Sequence, residues 1–135
     1  IISHIVTPVE NGSFVLGVRP TGRINFIWWD NLTLRTTLTD SSFADGWHHI
    51  VVTSVSGTRA IYVDGTSAAS TAGTTPGGWG NRYTAIGRSY PLGPYYFNNL
   101  IDETYVWASR ALTAGEITLL YNSGTGNYWP FVGIP

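Results

Sequence analysis

The sequence contains no cysteine, no methionine and no lysine, and only 11% of its 135 residues are charged. Without cysteine there is no disulfide framework and no thiolate metal site; secreted proteins need not carry cysteine, so the compartment stays open. An average soluble domain is about a quarter charged. The surface here must therefore be built from Ser, Thr, Asn and Gly. All seven basic residues are arginine, at positions 19, 23, 35, 59, 82, 88 and 110, scattered against eight acids for a formal net charge of −1. Such a distribution offers no basic patch to nucleic acid or to an anionic membrane. No apolar run approaches the roughly 20 residues that cross a bilayer, and no signal-peptide pattern is visible. The expected partners therefore include no nucleic acid, and no membrane insertion is expected. With no methionine and a start at IISHIV, the chain reads as a processed product, an excised domain or an incomplete sequence.

What is present is a hydrophobic content of 43% arranged in short runs. A chain of this length fits one domain and buries roughly two-thirds of its unfolded surface. Runs rich in Val, Ile, Thr, Phe, Tyr and Trp alternate with turn signals: Pro20-Thr21-Gly22, Asp30-Asn31, Asp45-Gly46, Ser56-Gly57, Asp64-Gly65 and Gly77-Gly78. That pattern predicts an all-β sandwich or barrel of short strands. In HHIVVTSVSGTRAIYVDGTSAAS a strand over 48–55 turns at Ser56-Gly57 into a second over 59–63. Asp64-Gly65, two residues suited to positive φ, then starts the next strand of a meander. SFVLGVRP and RINFIWWD form another hairpin across Thr21-Gly22, and LTLRTTLT follows with Leu32, Leu34 and Leu38 in period-2 phase. GTTPGGWGN, over 73–81, is a loop.

The single helix signal comes late. Thr113 with Glu116 three residues on is a capping box, Leu112 can staple against Ile117, and Asn122-Ser123-Gly124 supplies the stop. A helix over about 114–121 is too short to stand alone, so it must dock on the sheet through Ile117, Leu120 and Tyr121.

LIDETYVW, over 100–107, places Asp102 and Glu103 in a strand-like run. Neighbouring side chains of a strand point to opposite faces, so the two carboxylates do not converge there. They read as parts of sheet closure, with Arg110 as an available ion-pair partner. The ordered set DGWHHIVVT, RAIYVDG, YTAIGRS and YFNNLIDETYVWASRALTAGEITLLYNSG, spanning about 13–124, resembles the laminin-G-like, concanavalin A-like jelly-roll domains. The resemblance implies an antiparallel jelly-roll β-sandwich with one short C-terminal helix. The whole of 1–135 would be one such domain lacking the N-terminal strands usual in the family, with 125–135 as an apolar tail.

Candidate ligand contacts are the aromatics and their polar neighbours. Trp28 and Trp29 are adjacent, so one faces the core and the other faces outward beside Asp30 and Asn31, as a sugar platform requires. Trp79, Tyr95 and Tyr96 fall on connections, where recognition residues concentrate. In the DGWHH strand the expectation is that Trp47 or His48 packs between the sheets and His49 turns outward or caps a loop. No Ser or Cys nucleophile stands in a recognisable elbow. The reading is a non-catalytic recognition or assembly module, not an enzyme, with glycan or protein partners, extracellular or on a virion as a decoration, fibre or tail component whose partners include other subunits. The alternatives are a carbohydrate-binding module of a secreted protein and, further off, a glycan hydrolase. A hydrolase would need Asp102 or Glu103 to act with an acid such as Glu10 or Asp40 about 5 to 10 Å away. No cofactor is required. Calcium occurs in the resembling family, with Asp30, Asn31 and Asp40 as available oxygens, but the sequence assigns no metal ligand set.

Overall fold

The structure, a computed structural model, describes residues 2–5, 13–30, 33–73, 83–89, 95–107, 109–127 and 134. It is an antiparallel β-sandwich. One sheet has five strands in the order β4-β3-β2-β1-β8, formed by β1 (Ile2–Ile5), β2 (Phe14–Val18), β3 (Ile24–Asp30), β4 (Thr33–Leu38) and β8 (Tyr83–Ile86). The other is the meander β5 (Ile50–Val55), β6 (Thr58–Val63) and β7 (Thr66–Ala72). After Gly87 at φ 80° the chain continues from β8 into β9 (Arg88–Ser89), which pairs with β10 (Tyr95–Tyr96) as a two-stranded ribbon.

The hairpins form where their turn residues demand. Ser56 (φ 45°) and Gly57 (φ 84°) join β5 to β6, and Asp64 (φ 51°) and Gly65 (φ 76°) join β6 to β7, both pairs left-handed as a tight two-residue hairpin requires. Gly22 closes the β2–β3 hairpin at φ 76°, and a Cβ there would meet the Phe43 carbonyl oxygen at 2.8 Å, so no other residue fits. The loop predicted over 73–81 falls almost wholly outside the described residues.

The core lies between the sheets. Ile24, Phe26 and Trp28 of β3 meet Ile61 and Val63 of β6, with Phe14, Leu16, Phe43, Ile50 and Val52 around them. Phe26 stacks on Trp28 at 5.9 Å between ring centroids, and the guanidinium of Arg59 lies 5.2 Å over the same indole. The meander is covered on its other side as well. Helix α1 (Ala114–Tyr121) places Ile117 and Leu120, with Leu112, against Val51 and Tyr62. The central strand β6 is covered on both faces, which is why it carries the unbroken apolar run AIYV.

The capping box of α1 forms as the sequence predicts: Thr113 Oγ1 accepts from the Glu116 backbone N–H, and the Thr113 N–H donates to the Glu116 carboxylate at 2.7 Å. The same carboxylate receives Arg110 in a two-point pair at 2.7 and 2.9 Å. Arg110 therefore serves the helix cap. Asn122 ends the helix in the left-handed region at φ 46°.

One strand expectation is met and one corrected. β4 forms, with its phase set so that Leu34 is 56% exposed while Thr37 and, just beyond the strand, Thr39 are fully buried. Thr39 sets that phase, because its N–H donates to the Ile24 carbonyl and its hydroxyl accepts from the Ile24 N–H at 3.1 Å. Residues 100–107 form no strand. Glu103 takes φ 51°, which breaks an extended run; its N–H donates to Asp102 Oδ1 at 2.9 Å, and its carboxylate accepts from the Tyr105 hydroxyl. Both acids of the pair are exposed, so the sheet-closure role expected of them is not what holds them.

Hydrogen bonds from Arg110, then from the Thr113 N–H and hydroxyl, hold the Glu116 carboxyl down to about 2. A depressed carboxylate contributes stability that is present above its ordinary value of 4.5 and is lost as pH falls toward 2. Urea unfolding between pH 2 and 6 is expected to show that acid-side loss, and Glu116→Gln is expected to remove it while keeping the capping box, since Gln also serves at that position. Thr113→Ala is expected to cost about 1 kcal/mol near neutral pH, and less where the Glu116 carboxyl is protonated, because the lost hydroxyl also donates to that carboxylate.

Candidate recognition surface

β3 parts its two adjacent tryptophans. Trp28 is 1% exposed and packs against Phe26 and Arg59 in the core. A ring so enclosed presents no face to a ligand, so the contact role expected of the pair can fall to Trp29 alone. Trp29 lies half-buried on the outer face of the five-stranded sheet, opposite Leu34 of β4. Asp30 ends β3 opposite Thr33; Asn31 and Trp79 lie outside the described residues.

Tyr95 and Tyr96 sit on the β9–β10 ribbon opposite Ser89 and Arg88, and Tyr96 is 66% exposed. The ribbon leaves the sheet at β8, and β8 is separated from β3 by two intervening strands. Three interstrand spacings amount to about 14 Å. Trp29 and the ribbon tyrosines therefore do not form one compact sugar subsite.

Among the described residues the most exposed large aromatic is one that the sequence offers to the interior. Trp47 is 68% exposed. Its two neighbours explain why. His48 points Nδ1 at Asp64 Oδ2 (2.8 Å) and Nε2 at the Ala44 carbonyl (2.9 Å), with its ring edge against Phe43. The His49 N–H donates to Asp64 Oδ1 at 3.0 Å, and the His49 carbonyl accepts from the Asp64 N–H at 2.9 Å. His49 is half-buried and stacks on Tyr121 of α1, instead of turning outward. These bonds use the backbone of residue 49 for a turn contact, so the ladder of β5 starts only at Ile50 and Trp47 is left ahead of the strand. The local clue was the pair Asp45-Gly46, which ends a loop directly before Trp47.

Electrostatics divide the two histidines. The hydrogen bond to Asp64, with the one to the Ala44 carbonyl, pushes His48 up from its ordinary value; burial pushes His49 down, with the Asp64 charge opposing. Among the described residues no group of three or more His, Cys, Asp or Glu stands together as a metal site. Nor is any helix long and apolar enough to cross a membrane.

A family model described as Concanavalin A-like lectin/glucanases superfamily (Laminin_G_3) matches residues 2–118. The chain belongs to that family. No curated protein matches it. Among solved structures it is similar to an S-layer domain-containing protein from Clostridium thermocellum, at 23% identity and a TM-score of 0.48, over 87% of this chain and 59% of that one. The family's own description spans sugar binders and sugar hydrolases, so residues must distinguish them. Asp102 and Glu103 are exposed and hydrogen-bonded within their own segment, and Glu10 lies outside the described residues.

The two exposure extremes give a direct comparison. Trp28→Ala is expected to cost about 3–5 kcal/mol, as for a large ring removed from a core. Trp47→Ala is expected to stay within about 0.5 kcal/mol of the parent. Chemical denaturation of the two variants checks both, and a large loss for Trp47→Ala would mean its ring is covered.

Proposed function

We propose that this domain is a non-catalytic recognition module that binds glycan through aromatic side chains held out from the sandwich, with Trp47 as the principal contact. The observation that carries the reading is Trp47 itself, an open ring on a loop whose following residues are tied to the β6–β7 turn by three hydrogen bonds and back to Ala44 by a fourth. An aromatic face covers the C–H surface of a pyranose, and a rigid mount spares the ordering cost that a floppy one would incur on binding. Asp45, exposed two residues away, supplies a carboxylate acceptor for sugar hydroxyls. Membership in a lectin-containing superfamily and a surface poor in charge support the same class of ligand. Trp29, Asp30, Asn31, Trp79, Tyr95 and Tyr96 remain proposed secondary contacts, and the location proposed is extracellular.

A second reading, an assembly component of a large particle such as a virion, draws on a different feature. Leu100 and Val106 are largely exposed, with Ile101 and Tyr105 partly so, along one segment that also carries Asp102 and Glu103. Exposed apolar side chains in a row suit a protein neighbour better than a sugar.

A glycan array run with and without calcium, followed by titration calorimetry on any hit, tests the first reading. Trp47→Ala is expected to abolish detectable binding while leaving the fold intact, and Tyr96→Ala is expected to weaken it less. Binding that survives Trp47→Ala unchanged would move the contact elsewhere. Co-sedimentation of the native protein with a megadalton particle, without any sugar hit, would favour the assembly reading.

A further inference from the structure

We propose that His48 is a proton-operated latch: while its ring carries both protons it ties the Ala44 end of the loop to the β6–β7 turn, and loss of one proton releases that loop and the Trp47 it carries.

The geometry makes the demand. Both ring nitrogens of His48 face acceptors, a carboxylate oxygen at 2.8 Å and a backbone carbonyl at 2.9 Å. A neutral imidazole has one N–H and one lone pair. Only the imidazolium can donate to both partners at once. On deprotonation the remaining proton stays with the stronger acceptor, so the Nδ1–H bond to Asp64 persists and the Nε2 lone pair faces the Ala44 carbonyl. Two oxygen- and nitrogen-centred lone pairs at hydrogen-bond distance repel, and the loop side of the latch opens.

Among the described residues, the groups around His48 come from three elements. From the β6–β7 turn the charged partner is Asp64, which also fixes the His49 N–H. From the loop come the Ala44 carbonyl, the Phe43 ring edge and, one residue beyond Ala44, the exposed Asp45. From the helix side comes Tyr121, which stacks on His49. Asp64 is thus the group that stabilises the charged ring, and its direction of effect agrees with the raised His48 value.

Bulk stability is a poor readout of this device. A raised histidine contributes stability present below its ordinary value of 6.5 and lost as pH rises through the folded value; a lowered one, as at His49, is penalised as pH falls below 6.5. The two effects fall on opposite sides of 6.5, so bulk stability passes through a maximum near that value without reporting on the loop itself. A site-resolved measurement is needed.

The experiment is NMR on the ligand-free protein: ring nitrogen shifts of both histidines, the Ala44 carbonyl shift, and backbone order parameters of residues 44–47, from pH 5 to 9. His48 is expected to titrate above 6.5, the Ala44 carbonyl shift to follow the same midpoint, and the order parameters of 44–47 to fall beyond it, while His49 titrates separately and lower. Asp64→Asn should lower the His48 midpoint, and His48→Gln should make the loop's mobility independent of pH. Titration of His48 at or below 6.5, or loop order parameters equal on both sides of its midpoint, overturns the latch. If either variant fails to fold, the wild-type titration still decides. The inference touches the recognition reading because Trp47 rides on the loop, yet neither stands on the other: absence of any glycan ligand leaves the latch intact, and a failed titration leaves the ligand question where it was.

Discussion

Strand β6 has no solvent side, and that constraint organises the rest of the molecule. Arg59, Ile61 and Val63 face the five-stranded sheet, while Ala60 and Tyr62 face the layer that includes α1. A strand in that position demands cover on both faces. One cover is the large sheet, brought over it by the indole of Trp28 and the rings of Phe26 and Phe14. The other is an eight-residue helix, which would be unstable in water by itself. Its capping box, its pair with Arg110 and its left-handed stop at Asn122 all act at the ends, where a short helix loses most. The packing of Ile117 and Leu120 supplies what the ends cannot.

The turn that follows β6 ties the remaining parts to that strand. At Gly65 a Cβ would approach the Tyr121 ring at 3.1 Å, so the helix rests on the turn itself. Asp64, one residue earlier, uses both carboxylate oxygens and its N–H on residues 48 and 49. Two motifs separated by 16 positions in the chain, WHH and VDG, are therefore one structural unit, and each has a reason for its residue types. Asp and Gly accept the positive φ of the hairpin, and the His48 ring and the His49 N–H donate to the carboxylate held there.

The parts of this arrangement that were legible in the sequence are those with short-range causes. The turns at 56–57 and 64–65, the β2–β3 hairpin and the capped helix follow from residues within a few positions of one another. The phase of β4 was not legible, because what decides it is Thr39 reaching Ile24 on the neighbouring strand. The period-2 phase of Leu32, Leu34 and Leu38 does not tell which side is buried, and the structure exposes Leu34 and buries Thr37 and Thr39. The segment 100–107 misled for a related reason: its composition is strand-like, but Glu103 adopts a left-handed backbone held by local bonds to Asp102 and Tyr105. Local hydrogen bonding of this kind competes with a ladder.

Adjacent residues with like side chains expose the difference most clearly. The alternation of a strand requires that Trp28 and Trp29 part, and that requirement holds from sequence alone. Which ring goes inward depends on the opposing sheet: Arg59 and Ile61 of β6 give Trp28 a surface to cover, and Trp29 keeps the outer face with Leu34. The histidines follow a different logic, because they stand before the ladder begins. Asp64 reaches both, taking the ring of one and the backbone of the other, and the consequence is carried by their neighbour. With residues 48 and 49 committed to the turn, Trp47 has no strand to join and no core to enter, so the surface aromatic is a by-product of how the meander closes. The loop that carries Trp47 is held by the same turn that closes the meander, which is the rigid mount the proposed contact role calls for.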